Sequence, residues 1–316
     1  MTARASAAAS AVGLEEITRI ELIVSRRLRE RTPGEHRSRA EGTGFDFVGL
    51  RDWQSGDRMS AIDWPQSSLT NFAPLVVREF EQPSTATVVA VADLSLSTRC
   101  GIARSHGYCR DETPITTAVG RALAVIGLSA AFFQDRFGLI AFERDFSHLA
   151  GVAPRAGRNH VVHCLDAYLA RRGLEPVMHG GSVSTTLAGS FRTTSLVPFI
   201  SDFLFDEALE VVGELARLNA VHDVFIVLVD SAFAFAMPDV SSWWIEVEDA
   251  ETGTSRTVSR QTFAALGDRV RAWQADVERA ARDADLDVVR IGLDAQKDDI
   301  ALSEFVAERR LRKPAR

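Results

Sequence analysis

Between Thr87 and Ser97 the chain reads TVVAVADLSLS, an apolar run that stops at Asp93 and gives way to serines at alternate positions. An apolar run without polar alternation reads as a strand covered on both faces that discharges into a polar loop. Two later segments behave alike: SLVPFISD from Ser195 to Asp202, and HDVFIVLVD from His222 to Asp230. Arg136 to Phe142 and Val288 to Leu293 add two more strands. Helical periodicity fills the intervals at Ile115 to Phe133, His160 to Arg171, Glu207 to Leu218 and Thr262 to Asp283, with a final helix at Ile300 to Leu311. This alternation predicts an α/β fold with a doubly wound, mostly parallel sheet and right-handed crossovers. Pro198 is awkward in a central strand, because proline has no amide hydrogen for the ladder.

At 316 residues the chain can bury one large core with a smaller attachment. An amphipathic helix is expected over Leu14 to Arg31, stopped by Pro33 and Gly34, with a strand over Ala73 to Glu81. After Trp243 and Trp244, IEVEDAETGTSRTVS reads as a hairpin turning near Thr252 and Gly253. The expected division is a disordered lead over 1–13 and an N-terminal helix and β segment over 14–84 that packs on the main domain. The main domain follows over 85–297, with its hairpin near 243–260, and then a terminal helix and basic tail over 298–316.

Several functions are disfavoured by what the sequence contains. A formal charge of -7 argues against a general nucleic-acid surface. Three cysteines in a chain this long suit a reducing compartment, and a cytoplasmic location is expected. Cys100, His106 and Cys109 lie close together without the paired spacing of a zinc site, and His160 and His163 have no acidic partner in the pattern. No apolar run is expected to reach the roughly 18 to 20 residues of a membrane span. The Ala/Ser-rich opening lacks the hydrophobic stretch of a signal peptide. Gly42 and Gly44 lack the third glycine of a dinucleotide fingerprint. An enzymatic alternative would be a magnesium-dependent hydrolase or phosphoryl-transfer enzyme using Asp93. Against it, the chain has no P-loop, no G-x-S-x-G elbow and no histidine placed by motif beside a nucleophile.

The remaining pattern is a constellation of oxygens. If the loop after Asp93 leaves the carboxyl end of a parallel strand, Asp93, Ser95 and Ser97 can turn toward one point, and Asp202 ends another strand at the same edge. In a doubly wound sheet, ligands collect where the strand order reverses. Between these strands, VSTTLAGS offers Thr185 and Thr186 at a helix entry, where a hydroxyl serves either as a ligand or as a helix cap. Oxygen-only donors favour magnesium or manganese over zinc.

The run GTGFDFVGLRDWQSGDRMSAIDW, then LVVREFE, VVAVADLSLS and FISDF, resembles the domain of unknown function 58 family, whose members are similar to von Willebrand factor A domains. The resemblance spans about Arg37 to Asp294 and implies a Rossmann-like A domain with a metal-ion-dependent adhesion site. Carried over by position, the site comprises Asp93, Ser95 and Ser97, then Thr185, then Asp202, around magnesium, with manganese or calcium as alternatives. Thr186 stands where the family often has aspartate, and Thr98 where it usually has methionine. The resemblance also implies a non-catalytic adaptor or co-chaperone for a MoxR-type AAA+ ATPase, or for a client protein offering a carboxylate. In the block RDWQSGD, Arg51, Asp52, Gly56 and Asp57 are expected to form a tight loop, with Asp63 and Trp64 after it. The block is expected to dock the N-terminal segment rather than to form a second site.

Overall fold

A computed structural model describes residues 13–31, 46–55, 59, 62–81, 86–95, 98, 115–143, 146, 149–177, 182–232, 243–248, 254–292 and 294–312. In chain order the elements begin with α1 (Leu14–Arg31), β1 (Asp46–Asp52), α2 (Trp64–Leu69), β2 (Val76–Glu81), β3 (Thr87–Asp93) and α3 (Ile115–Phe132). They continue with β4 (Arg136–Phe142), β5 (Leu149–Ala156), α4 (Arg158–Ala170), β6 (Glu175–Pro176), α5 (Val183–Ser190), β7 (Ser195–Ser201) and α6 (Ala208–Asn219). The last are β8 (Asp223–Val229), β9 (Trp244–Glu248), β10 (Ser255–Ser259), α7 (Arg260–Asp283), β11 (Asp287–Ile291) and α8 (Ala295–Arg312). The chain forms two compact units, one built from residues up to 28 and from 86 to 314, the other from residues 29–85.

The larger unit is organised by a seven-stranded sheet in the order β11-β8-β7-β3-β4-β5-β6. The strands from β11 through β4 pair in parallel, and β5 and β6 add antiparallel pairs at one edge. The expected α/β fold with a largely parallel sheet is therefore what the chain adopts. Successive residues of the central strands feed opposite faces, as the two-residue period of a strand requires. Val88, Ala90 and Ala92 join the core beneath α1, α3, α4 and α8, while Val89 and Val91 join the core beneath α5, α6 and α7. In β8, Phe225 and Val227 go one way and Val224, Ile226 and Leu228 the other. The apolar runs are unbroken because both faces are covered.

α3 is almost wholly buried, and its sequence is correspondingly apolar on every side. By length and composition it is apolar enough to cross a membrane, which corrects the expectation that no segment is, but most of it is buried against the rest of the unit. α1 lays Ile17, Ile20, Val24 and Leu28 into the same core. Pro198 does lie within central β7. The pairing of β7 with β3 is interrupted at Val197 and Pro198 and resumes at Phe199, whereas the pairing with β8 runs through Pro198 without a break. One ladder absorbs the missing amide, and the strand survives.

β9 and β10 form the expected hairpin, with Trp244 opposite Ser259, and Trp243 and Trp244 are strongly exposed. Its turn near Thr252 and Gly253 lies outside the described residues.

In the smaller unit β1 pairs antiparallel with β2 through an irregularity between Phe47 and Gly49. Asp63 caps α2 by accepting the amide of Gln66, which explains an acidic residue immediately before Trp64 and Pro65. Ser67, fully buried, both donates to the carbonyl of Val76 and accepts its amide. Gly56 and Asp57 of the RDWQSGD block lie outside the described residues.

Candidate functional site

The crevice follows from the order of the sheet. From β3 the chain crosses by α3 to β4 on one side, while β7, β8 and β11 extend the sheet on the other. α3 packs in one core layer and α6 in the other, so the helices that follow β3 and β7 lie on opposite faces of the sheet, the arrangement of strand ends at which ligands collect in such sheets. Asp93 is the last residue of β3, and Asp202 is the first beyond β7.

Both carboxylates are fully buried. Asp93 Oδ1 accepts the amide of Ser95 at 2.8 Å, and Asp93 Oδ2 accepts the hydroxyl of Ser201 at 2.6 Å. That second bond ties the end of β3 to the end of β7. Ser201 also accepts the amide of Phe203 at 2.9 Å, and Asp202 Oδ1 accepts the amide of Leu204 at 3.1 Å. Asp202 Oδ2 is buried and accepts no hydrogen bond among the described residues, although other contacts engage the residue. Ser95 is buried, and its carbonyl accepts both the amide and the hydroxyl of Thr98. Thr98 is itself fully buried and serves the loop by this bond.

Asp93, Ser95 and Asp202 are thus brought to one edge, joined through Ser201. Ser97 lies outside the described residues. Thr185 and Thr186 occupy the first turn of α5, and both hydroxyls donate to the carbonyl of Ser182, at 2.9 and 3.0 Å. Ser182 in turn caps the helix by accepting the amide of Thr185, and Glu214 of α6 accepts the amide of Ser184. These bonds are those of a helix entry. Thr185 is exposed and Thr186 buried.

Helices on both faces hold the two loops. From α4 the Tyr168 hydroxyl donates to the carbonyl of Asp93, and from the C-cap of that helix the Arg171 guanidinium donates to that of Leu94, each at 2.7 Å. Burial, and then the negative charges of Asp93 and Asp202, push the Tyr168 phenol well above its usual pKa, so it remains a donor at any physiological pH. From α7, Gln274 donates to the carbonyl of Asp202 at 3.0 Å and Trp273 to that of Phe203 at 2.7 Å. Gln274 also reaches the carbonyl of Val229 and the hydroxyl of Ser231, so the segment after β8 is tied in as well. Beneath these loops Phe142, Phe146, Phe199, Phe203 and Phe205 form a continuous aromatic cluster. Its low polarity strengthens electrostatic interactions at the rim above it.

Ser201, Tyr168, Arg171, Trp273 and Gln274 were not among the residues singled out from the sequence. Only Ser201, next to a strand-ending aspartate, carries a local signal. The others lie 70 or more residues from the carbonyls of Asp93, Leu94, Asp202 and Phe203 that they hold.

Chemically, the edge presents carboxylate and hydroxyl oxygens. That donor set fits a hard divalent cation such as magnesium, and does not fit a soft one. Two carboxylates buried on neighbouring strand ends repel one another, and a cation between them would offset both repulsion and desolvation. Among the described residues there is no group of three or more His, Cys, Asp or Glu side chains suited to an ion, so such a site would depend on two carboxylates and on hydroxyls. His160 and His163 are neighbours on α4, and a ring nitrogen of His160 lies 3.0 Å from the carbonyl of Ala153. Cys100, His106 and Cys109 lie outside the described residues. Cys164 is buried, which pushes its thiol up to about 12 and keeps it inert at neutral pH.

A family model described as "Protein of unknown function DUF58" matches residues 49–284. No curated protein matches. Among solved structures, the conserved hypothetical protein BatB from Bacteroides thetaiotaomicron is 14% identical, with a TM-score of 0.39 over 71% of this chain and 99% of that one. An aerotolerance-related membrane protein from Bacteroides fragilis NCTC 9343 is 11% identical, with a TM-score of 0.40 over 71% and 99%. An uncharacterized membrane spanning protein from Vibrio fischeri is 16% identical, with a TM-score of 0.21 over 73% and 100%. Two of these three neighbours are described as membrane proteins, which stands against the cytoplasmic location expected from the sequence. The cysteine count behind that expectation bears on redox compartment and not on attachment to a membrane.

Proposed function

This chain belongs to the DUF58 family, and from that premise we propose that the crevice between β3 and β7 is a non-catalytic, metal-dependent protein-interaction site of the von Willebrand factor A type. The observation that carries the reading is the Ser201–Asp93 hydrogen bond at 2.6 Å, which joins two strand ends at a reversal of strand order and leaves both aspartates on one edge. Asp93 and Asp202 are the carboxylate ligands in this reading. Ser95 and Ser97 supply hydroxyls, and Thr185 completes the set on rotating away from its cap.

The bound ion, magnesium in the first instance with manganese or calcium as substitutes, would supply an electrophilic position at which a partner's acidic side chain can replace water. The chain's own residues bury the carboxylates, fix their spacing and exclude solvent from the floor of the crevice. The partner is a MoxR-type AAA+ ATPase, or a client protein presenting a carboxylate, and the module acts as an adaptor or co-chaperone in protein or metalloenzyme maturation.

The test is capture of a purified MoxR-type ATPase on the immobilised chain, in magnesium and in chelator, beside Asp202→Asn. Capture that needs both magnesium and Asp202 supports the reading. Equal capture in all three conditions overturns it.

A further inference from the structure

The two aspartate-bearing segments are held by one device used twice. In each, the carbonyl of the aspartate and the carbonyl of the next residue are both gripped by side chains from one helix or its cap. Asp93 and Leu94 are held by Tyr168 of α4 and by Arg171, its C-cap residue, while Asp202 and Phe203 are held by Gln274 and Trp273 of α7. α4 packs in one core layer and α7 in the other, so the grip comes from both faces of the sheet. Each grip includes a non-glycine residue in the left-handed region, Arg171 at φ 51° and Phe203 at φ 56°. Such a conformation costs an L-residue about 1–2 kcal/mol and persists where surrounding bonds hold it. All four bonds end on main-chain oxygens rather than on the carboxylates. They govern where Asp93 and Asp202 stand without touching the carboxylate oxygens themselves.

Fixed spacing has a chemical consequence. Magnesium requires near-octahedral oxygens at short range, whereas calcium takes longer bonds and tolerates irregular, mobile ligands. Two carboxylates that cannot spread apart favour the smaller ion. We propose that Tyr168, Arg171, Trp273 and Gln274 are positioning residues that make the Asp93/Asp202 crevice select magnesium over calcium, an inference that rests on the cation reading of that crevice.

Tyr168→Phe and Trp273→Phe each remove one donor and keep an aromatic ring, and they are compared with the unaltered full chain by calorimetric titration with magnesium alone and calcium alone. The unaltered chain is expected to bind magnesium more tightly than calcium. Each variant is expected to lose about ten- to a hundredfold in magnesium affinity, as outer-shell changes do, with a smaller loss for calcium, so that the preference narrows. Circular dichroism establishes that each variant is folded, and if Trp273→Phe is not, Tyr168→Phe carries the test. Arg171→Lys, which keeps the charge and a donor, should retain more of the preference than Arg171→Met. Equal weakening toward both ions, or a preference for calcium in the unaltered chain, overturns the selectivity proposal and leaves the site itself standing. Failure of the unaltered chain to bind either ion overturns the cation reading, and this inference falls with it.

Discussion

Replacing Ser201 by alanine removes one oxygen from the middle of the site and should be among the costlier single-atom changes in the chain. The Ser201 hydroxyl donates to Asp93 Oδ2 at 2.6 Å and accepts the amide of Phe203 at 2.9 Å, with Ser201 and Asp93 both fully buried. A hydrogen bond to a charged group contributes about 1.5–3 kcal/mol, and a buried amide left without its acceptor costs about 1–3 kcal/mol. The two losses overlap, because Asp93 Oδ1 keeps the amide of Ser95 and Phe203 can shift once released. A combined loss of about 3 kcal/mol is therefore expected. In a domain of 150–250 residues about 1 kcal/mol moves Tm by roughly 2–4 °C, so Ser201→Ala should lower Tm by about 6–12 °C. The assay is thermal unfolding followed by circular dichroism in chelator, so that only the protein's own bonds are weighed. A fall of less than about 2 °C, on the same scale, would refute the reasoning that this hydroxyl joins the two strand ends.

Other perturbations test other parts of the structure. His222 Nδ1 accepts the amide of Ser195, which requires the neutral ring, and burial lowers its pKa below 6.5. Just below pH 6.5 the unfolded chain binds more protons than the folded one, so the contribution of His222 to stability is complete above that pH and is lost as pH falls through the folded pKa. Denaturant titrations over pH 5–7 should show this decline partly flattened in His222→Gln, with the remainder including His160, whose pKa burial also lowers. Gly127 of α3 faces α4 so closely that an added Cβ would lie 2.5 Å from Val161 Cγ1 and 3.1 Å from Phe137 Cε1. Gly127→Ala should therefore destabilise by about 1–3 kcal/mol by overpacking, despite the better helix propensity of alanine, and unchanged urea stability would contradict this. Phosphatase and nucleotidase activity of the purified chain should stay at background with and without magnesium, and turnover abolished by Asp93→Asn would favour the enzymatic alternative.

What could be read from the sequence was what local periodicity encodes. β3, α3, β4 and β7 announce themselves through apolar runs or helical spacing, and the structure bounds them within a residue or so of those expectations. β5 did not, because Leu149–Ala156 contains Gly151 and Pro154 among small residues and reads as a loop. It is tolerated near the sheet edge, where its ladder with β4 breaks register between Phe137 and Leu139, opposite Pro154, and where it pairs with β6 only at Ala150 and Gly151. Asp93 and Asp202 could be found because each ends an apolar run. Tyr168 and Gln274 could not, since a buried polar side chain on a helix gives no sign of which distant carbonyl it will meet. The threonines show the reverse difficulty. Ser182, Thr185 and Thr186 spell a helix cap as readily as a ligand, and the hydroxyl bonds of the described structure are those of the cap.

The central claim is that Asp93 and Asp202 share one ion, and isothermal titration of the metal-free chain with magnesium tests it most directly. The expected result is one ion per chain, with binding abolished by Asp93→Asn and by Asp202→Asn separately while both variants remain folded. Binding that survives either substitution unchanged, or no magnesium binding by the unaltered chain, would contradict the account.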